Sequence, residues 1–210
     1  MTDTNPTPDN EKPAPDRHVR RRERTEKAIL AAAEELIAEG GVDGLTMEGV
    51  AARSGVAKTT IYRRWRDKDE LALAVLVERT ATLSPPPDVG DTRKELLTFL
   101  KTAKQVIRPG GVAQGLASAI ATQPHLALTY RERIVDVRRS ELKAVIDRGI
   151  ARGDFRPDTD VWVAHELLIG PLYYRLLFSG APLGTKHDKQ LVEALLRAFA
   201  PEGAKQRAST

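Results

Sequence analysis

Apolar residues recur every three to four positions along most of the chain, which is the period of an amphipathic helix. The first such stripe begins near Thr25 and ends at Gly40. Its apolar members are Ile29, Ala32, Ala33, Leu36 and Ile37. No stretch shows the sustained alternation of apolar and polar residues that is typical of a strand. The pattern therefore predicts an all-α chain.

The same period, with its interruptions, predicts the order of the helices. Before the break at Ser84–Pro87 we expect helices over 46–53, 58–64 and 68–83, and beyond it over 91–107, 112–122, 124–150, 159–179 and 188–199. No helix can cross three consecutive prolines, so the domain boundary is placed there. We predict a disordered arm at 1–19, a three-helix helix-turn-helix domain with its connecting helix at 20–83, an α-helical domain at 88–200 and a flexible tail at 201–210.

Composition narrows the class of protein. The 210 residues include no cysteine, which excludes disulfide scaffolds, thiol nucleophiles, iron–sulfur clusters and cysteine-based zinc sites. The histidines form no i, i+4 pair, and no serine-hydrolase, Walker or zincin motif occurs, so we expect no metal, no cofactor and no enzymatic activity. No apolar run approaches the roughly 18 residues of a membrane span, and no secretory signal is recognised. We expect a cytoplasmic protein.

The helices predicted at 46–53 and 58–64 have the spacing of a helix-turn-helix. Thr46 is placed to cap the first helix, and Gly55 to adopt the positive φ that such a turn requires. The outer face of the second helix carries cationic and hydroxyl groups that can reach phosphates and base edges in a major groove. These residues are Lys58, Thr59, Thr60, Tyr62, Arg63 and Arg64. Lys68, at the start of the next helix, is placed to hold a phosphate.

This segment resembles the DNA-binding domain of the tetracycline-repressor (TetR) family. The matching positions are Thr46, Ala51, Gly55, Val56, Ile61, Tyr62, Trp65, Lys68 and Leu71. The resemblance implies about nine helices, a homodimer that binds double-stranded DNA at an inverted-repeat operator, and a C-terminal domain whose small-molecule effector releases the DNA. It also implies phosphate contacts for Thr46, Tyr62 and Lys68. Ala57 departs from the family pattern because alanine cannot cap the recognition helix.

The net charge of +4 is concentrated in two stretches of the sequence. Residues 53–68 carry an excess of +5, and residues 17–27, which include Arg20, Arg21 and Arg22, carry an excess of +4. A flexible basic arm in the 17–27 stretch would read the adjacent minor groove. A solvated run would only raise non-specific affinity through counterion release. Both interpretations remain open, as does a solvated role for Arg63 and for Arg64.

The segment 159–183 is apolar nearly all round, which indicates burial in a core or against a second chain. Its motif at Gly170–Leu183 is similar to the dimerisation helix of a TetR-type C-terminal subfamily. The expected interface residues are Trp162, Leu168, Leu172, Tyr173, Leu176, Leu191, Leu195 and Phe199. A monomeric core is the alternative.

The effector is the least constrained part of the hypothesis. The candidate lining residues are Phe99, Gln114, Tyr130, Trp162 and His165, although residues with this amphipathic spacing more often belong to the plain core. An apolar or aromatic effector is favoured over a highly charged one. The leading function is a one-component repressor, with an activator, a ligand-independent regulator, an all-α enzyme and a dimerisation scaffold as alternatives.

Overall fold

The computed structural model describes residues 17–201. Within that range every regular element is helical. The helices are α1 (Arg17–Gly40), α2 (Met47–Ser54), α3 (Lys58–Tyr62), α4 (Lys68–Ala81), α5 (Thr92–Val106), α6 (Val112–Gly115), α7 (Ala117–Thr122), α8 (Pro124–Tyr130), α9 (Asp136–Arg152), α10 (Val161–Tyr174) and α11 (Thr185–Ala198). Two π-helical segments, Arg131–Val135 and Arg175–Ser179, join α8 to α9 and extend α10. The chain is all-α, as the periodicity predicts.

The N-terminal helix is longer than the sequence pattern predicts. It begins at Arg17 instead of Thr25, so residues 17–19 of the predicted arm are helical. The added turns consist largely of arginine and glutamate, which favour helix, and they extend beyond the core, so they carry no apolar stripe. The rest of the predicted arm, 1–16, and the tail residues 202–210 lie outside the described residues.

The first core lies between the N-terminal helices and continues past the proline break. Ile29 of α1, Ile61 of α3 and Leu73 of α4 are fully or almost fully buried in it. The same cluster includes Leu116 and Leu126, from the far side of the break. Helix α4 therefore packs against both parts of the chain and couples them mechanically.

The second core joins α5, α9, α10 and α11. Phe99, Leu142, Leu168 and Leu195 are among its buried members. The predicted helix 112–122 is split at Leu116 into α6 and α7, and the predicted helix 124–150 contains the π-helical segment Arg131–Val135. If α6 is counted together with α7, and α8 together with α9, the described residues form the nine or so helices that the family resemblance implies.

A buried carboxylate fastens α5 to α9. Glu95 is fully buried, and its carboxylate accepts from Arg148 Nε at 2.8 Å and from Arg152 Nη2 at 3.0 Å. The same two guanidinium groups face Asp88, in the loop before α5. The loop and two helices of the second core are thus held by one ionic network.

Candidate nucleic-acid interface and internal cavity

Local hydrogen bonds shape the turn between α2 and α3. The Oγ1 of Thr46 accepts from the backbone N–H of Gly49 at 3.0 Å and so caps α2. Gly55 adopts φ 68°, and its N–H donates to the carbonyl of Ala51. This left-handed conformation favours glycine because it has no Cβ. Ala57 provides no side-chain cap to α3, as expected. The predicted cap and turn are confirmed.

Helix α3 presents the polar face that the sequence predicts. Ile61 is fully buried beneath it, whereas Lys58, Thr59, Tyr62 and Arg63 are exposed. Thr60 is half-buried at the edge of this face. The outward residues therefore lie where a major groove would meet them.

The two exposed cations of α3 differ in their surroundings. Lys58 Nζ lies 2.6 Å from Glu48 Oε1. The side chain of Arg63 has no hydrogen bond or ion pair to any described residue, so its guanidinium is available to a ligand. The ion pair of Lys58 is exposed at both ends and contributes little to stability. A phosphate can therefore displace Glu48 from Lys58 at a small cost in free energy.

In the structure Arg64 docks α3 against α1, and its predicted contact with DNA stays a prediction. Its Nη1 lies 2.5 Å from Glu26 Oε2, and its Nη2 donates to the carbonyl of Arg22 at 3.2 Å. Only 13% of its side chain is exposed. The sequence could not distinguish the two neighbouring arginines, because the partners of Arg64 come from a distant turn of α1.

The upstream basic stretch forms part of α1, so the flexible-arm interpretation is wrong for the described residues. Arg20, Arg21 and Arg22 are exposed on its N-terminal turns. A groove of about 720 Å³ lies between this part of α1 and α3. It is lined by His18, Arg21, Arg22, Thr25, Gly55, Val56, Thr60, Arg63 and Arg64. Such a positively charged groove attracts a phosphate backbone.

The start of α4 borders this surface. Asp67 caps α4 by accepting from the N–H of Glu70 at 2.9 Å. Lys68 is half-buried, and its Nζ donates to the carbonyl of Val42 at 3.5 Å. Its predicted phosphate contact remains a proposal.

An apolar cavity of about 70 Å³ lies between α5, α8, the first π-helical segment, α9 and α10. It is lined by Ala103, Val106, Ile107, Tyr130, Ile134, Val135, Arg138, His165, Ile169 and Tyr173. The hydroxyl groups of Tyr130 and Tyr173 are hydrogen-bonded to each other and join α8 to α10. Burial raises the pKa of both tyrosines, so both are protonated at neutral pH.

Two of the five predicted effector residues, Tyr130 and His165, line this cavity. Phe99 lies outside its lining, with its ring edge-on to His165 at a centroid distance of 6.3 Å. Gln114 lies outside it too, and accepts from the N–H of Gly110. Trp162 is half-exposed under the guanidinium of Arg139. None of the last three lines this cavity, and their predicted contact with an effector stays a prediction.

Arg138 was missed by the sequence analysis. Its side chain interrupts the apolar stripe between Ile134 and Leu142, and that interruption is the signal that could have identified it. It is 5% exposed and ion-paired with Glu141, and its Nη2 donates to Thr102 Oγ1 at 2.6 Å. Burial lowers the pKa of Arg138 and raises that of Glu141, but the pairing of the two opposes both shifts.

His165 is held neutral beside the cavity. Burial, with the charges of Arg139 and Arg138 adding to it, lowers its pKa from 6.5 to about 4. The folded state therefore binds fewer protons than the unfolded chain below about pH 6.5, and its stability falls as the pH decreases. We expect this histidine to remove about 2 kcal/mol of stability between pH 7 and pH 5.

Urea denaturation at the two pH values measures this effect, with His165→Gln as the control that is neutral throughout. The variant is expected to lose less stability than the wild type on acidification. Equal losses would show that His165 does not titrate as described.

The apolar helix α10 turns two different faces to its surroundings. Its exposed apolar side chains form a stripe: Trp162, Val163, Leu167, Tyr174 and Phe178, the last in the π-helical extension. Tyr173 and Leu191 are half-buried. Five other predicted interface residues, namely Leu168, Leu172, Leu176, Leu195 and Phe199, are buried in the core of the single chain. These five have little or no accessible surface in the single chain, so the structure gives their predicted interface role no support, and it stays a prediction.

Helix α8 connects the cavity to the helix-turn-helix. Tyr130, at its C-terminal end, lines the cavity, while Leu126 is buried against α4 in the first core. At its N-terminal end His125 is hydrogen-bonded to Arg66, which follows α3. Gln123 Nε2 also donates to Asp69 Oδ2 at 3.4 Å. A displacement of α8 is therefore transmitted to the residues that flank the recognition helix.

A capped helix-turn-helix with an exposed polar recognition helix, on an all-α body, defines a DNA-binding transcriptional regulator. Two family descriptions match the chain. "Bacterial regulatory proteins, tetR family" matches residues 29–75, and "Tetracyclin repressor-like, C-terminal domain" matches residues 86–195. The protein belongs to the TetR family of transcriptional regulators, which are not enzymes.

Similar proteins agree with this assignment. An uncharacterised HTH-type transcriptional regulator of Bacillus subtilis, YdeS, is 33% identical over 174 residues, which are 82% of this chain and 88% of that protein. The DNA-binding transcriptional repressor TetR of Mycobacteroides abscessus is 30% identical over 191 residues, 89% of this chain and all of that protein. The crystal structure of the TetR family transcription regulator SCO0332 superposes with a TM-score of 0.70 at 35% identity, covering 85% of this chain and all of that one.

Neither a membrane-spanning helix nor a metal-binding cluster is found within residues 17–201. No helix there is long and apolar enough to cross a membrane. No cluster of three or more His, Asp or Glu side chains in that part of the chain is arranged to hold a metal ion.

Proposed function

We propose that the protein is a homodimeric repressor that binds a palindromic operator through α3 and dissociates from it when a small molecule occupies the internal cavity. The observation that carries the proposal is the exposed apolar stripe of α10. One recognition helix reads only a few base pairs, so a second copy is needed to specify an operator. The stripe offers the apolar surface on which that copy would dock.

The DNA-binding half of the proposal rests on charge and exposure. The groove between α1 and α3 is lined by Arg21, Arg22 and Arg63, and Tyr62 lies exposed beside it. Phosphates on either side of a major groove would meet the arginines, and base edges would meet the hydroxyl groups of α3. Thr46, Thr59, Thr60 and Lys68 complete the proposed contact surface.

The effector half rests on the path through α8. A molecule that enlarges the cavity must separate Tyr130 from Tyr173, because their paired hydroxyl groups close it between α8 and α10. The resulting shift of α8 reaches Arg66 and Asp69, next to the recognition helix. A ligand that binds the shifted state better than the DNA-binding state lowers operator affinity by population shift.

The whole proposal is tested by finding the operator. Genomic binding selection followed by footprinting is expected to reveal an inverted repeat whose half-sites lie about one helical turn apart. Protection of a single unrepeated half-site would contradict the dimeric operator.

The dimer is tested by Phe178→Asp. Phe178 is 78% exposed on the stripe, so the substitution costs the single chain little but places two carboxylates at the proposed two-fold interface. Burying unpaired charges carries a large free-energy cost. We therefore expect the dissociation constant of the dimer to increase at least tenfold and the operator footprint to be lost. Light scattering coupled to size-exclusion chromatography measures the change.

Val89→Asp is the matched control, since Val89 is a half-exposed apolar residue in the loop before α5. This variant is expected to remain dimeric and to bind DNA normally. A dimeric Phe178→Asp variant with an unchanged circular dichroism spectrum would place the interface elsewhere.

A further inference from the structure

The internal cavity contains a buried donor that the fold leaves without a partner. Arg138 lines the cavity, and its Nε atom is inaccessible to solvent and has no hydrogen-bond partner within residues 17–201. The rest of the guanidinium is engaged: Nη1 with Glu141, and Nη2 with Thr102 Oγ1 and the carbonyl of Phe99. An unmade hydrogen bond of a buried charged group destabilises the protein. A ligand acceptor placed at Nε would recover that free energy.

The charge of Arg138 is already balanced inside the protein. Glu141 forms an ion pair with it, and Arg139 is similarly paired with Asp136. The remaining wall is almost entirely aliphatic or aromatic. An anionic ligand would bring a second negative charge to Arg138, in competition with Glu141, and would lose its own hydration in this wall. A neutral acceptor has neither disadvantage.

The donors and acceptors of the wall favour the same chemistry. Arg138 Nε offers a hydrogen, and the tyrosine pair engages only one of its two hydroxyl hydrogens in the contact between the rings. His165 is neutral, so it adds one N–H donor, one acceptor nitrogen and no charge. The cavity therefore presents mainly donors, set in an apolar surface.

We propose that this cavity binds a neutral apolar molecule through one carbonyl-type oxygen, which accepts from Arg138 Nε. This inference rests on the proposed function, since it names the chemical class of the effector. The present volume of about 70 Å³ is less than half of the roughly 150 Å³ that holds a benzene ring. Because Nε is inaccessible in the cavity as it stands, both the carbonyl contact and the room for the apolar remainder require the cavity to widen, with Tyr130 and Tyr173 separating.

Three probes of nearly equal size test the class: acetophenone, a neutral ketone; ethylbenzene, which lacks the acceptor; and benzoate, which carries a charge. Each is titrated into the full-length protein labelled with ¹⁵N, and binding is followed by NMR. Acetophenone is expected to bind about tenfold more tightly than ethylbenzene and more tightly than benzoate, and to shift the Nε–H resonance of Arg138. Binding of benzoate in preference to acetophenone, or no binding of acetophenone, would overturn the inference.

Arg138→Lys supplies a matched variant, because lysine keeps a cation opposite Glu141 but has no Nε–H group. In this variant the preference for acetophenone over ethylbenzene is expected to disappear. A preference that persists would refute the role of Arg138. If the variant does not fold, the Nε–H shift in the wild type decides the question: a shift supports the contact, and its absence during acetophenone binding refutes it.

Operator release is measured separately, so the two proposals can fail independently. If acetophenone occupies the cavity with the Nε–H shift but operator affinity is unchanged, the ligand class stands and release by effector fails. If benzoate rather than acetophenone binds and releases the operator, the ligand class is wrong and the repressor function stands.

Discussion

Replacing Glu95 with alanine is expected to lower the free energy of unfolding by about 3 kcal/mol, the largest stability effect that we predict. Removing one partner of a buried ion pair leaves the other charge uncompensated, which costs about 3–5 kcal/mol. Here two guanidinium groups, Arg148 and Arg152, lose their shared carboxylate. Both remain about one-quarter exposed and regain some hydration, so the low end of the range applies.

Urea denaturation at a fixed protein concentration measures this loss, with Asp88→Ala as the control. Asp88 faces the same two arginines but is mostly exposed. Exposed ion pairs contribute about 0–1 kcal/mol, so the control is expected to lose less than 1 kcal/mol. Equal losses in the two variants would show that burial of Glu95 does not determine its contribution.

This network could not be predicted from the sequence. Periodicity treats a glutamate as a solvent-facing residue, and Glu95 stands beside Leu96 with no local sign that it is buried. Its partners lie 53 and 57 residues further along the chain, on a different helix. Such pairing depends on how the helices pack, which a single sequence does not specify.

The features that could be predicted depend on residues within four positions of each other. The Thr46 cap, the left-handed Gly55 and the Asp67 cap are all of this kind. Backbone sterics and the orphan N–H groups of a helix start determine them locally. The helix-turn-helix was predictable for the same reason.

The orientation of α10 was beyond the sequence because the helix is apolar on every side. Periodicity then gives no contrast between Leu168, which faces the core, and Leu167, which faces outward. The residues that line the cavity were hard to predict from the sequence for a similar reason. Its apolar lining residues look like ordinary core residues, and only Arg138 carries a distinguishing signal.

Arg63 and Arg64 are adjacent in the sequence, yet their replacement by alanine is expected to have opposite consequences. Arg63 is exposed and its side chain makes no hydrogen bond or ion pair to any described residue, so Arg63→Ala should leave stability unchanged. A lost base contact costs about 1–3 kcal/mol, and we expect operator affinity to fall about tenfold or more. Gel-shift titrations over a range of salt concentrations distinguish the two kinds of contact, since loss of a phosphate contact lowers the salt slope by about one.

Arg64→Ala provides the internal comparison for this experiment. It removes the bond to Glu26 and the bond to the carbonyl of Arg22, which dock α1 against α3. Because Glu26 is about half exposed, we expect a loss of about 1 kcal/mol of stability and a change in operator affinity of about threefold or less. If Arg64→Ala instead weakened operator binding as much as Arg63→Ala, with unchanged stability, Arg64 would leave Glu26 to contact the DNA and the docking role would be wrong.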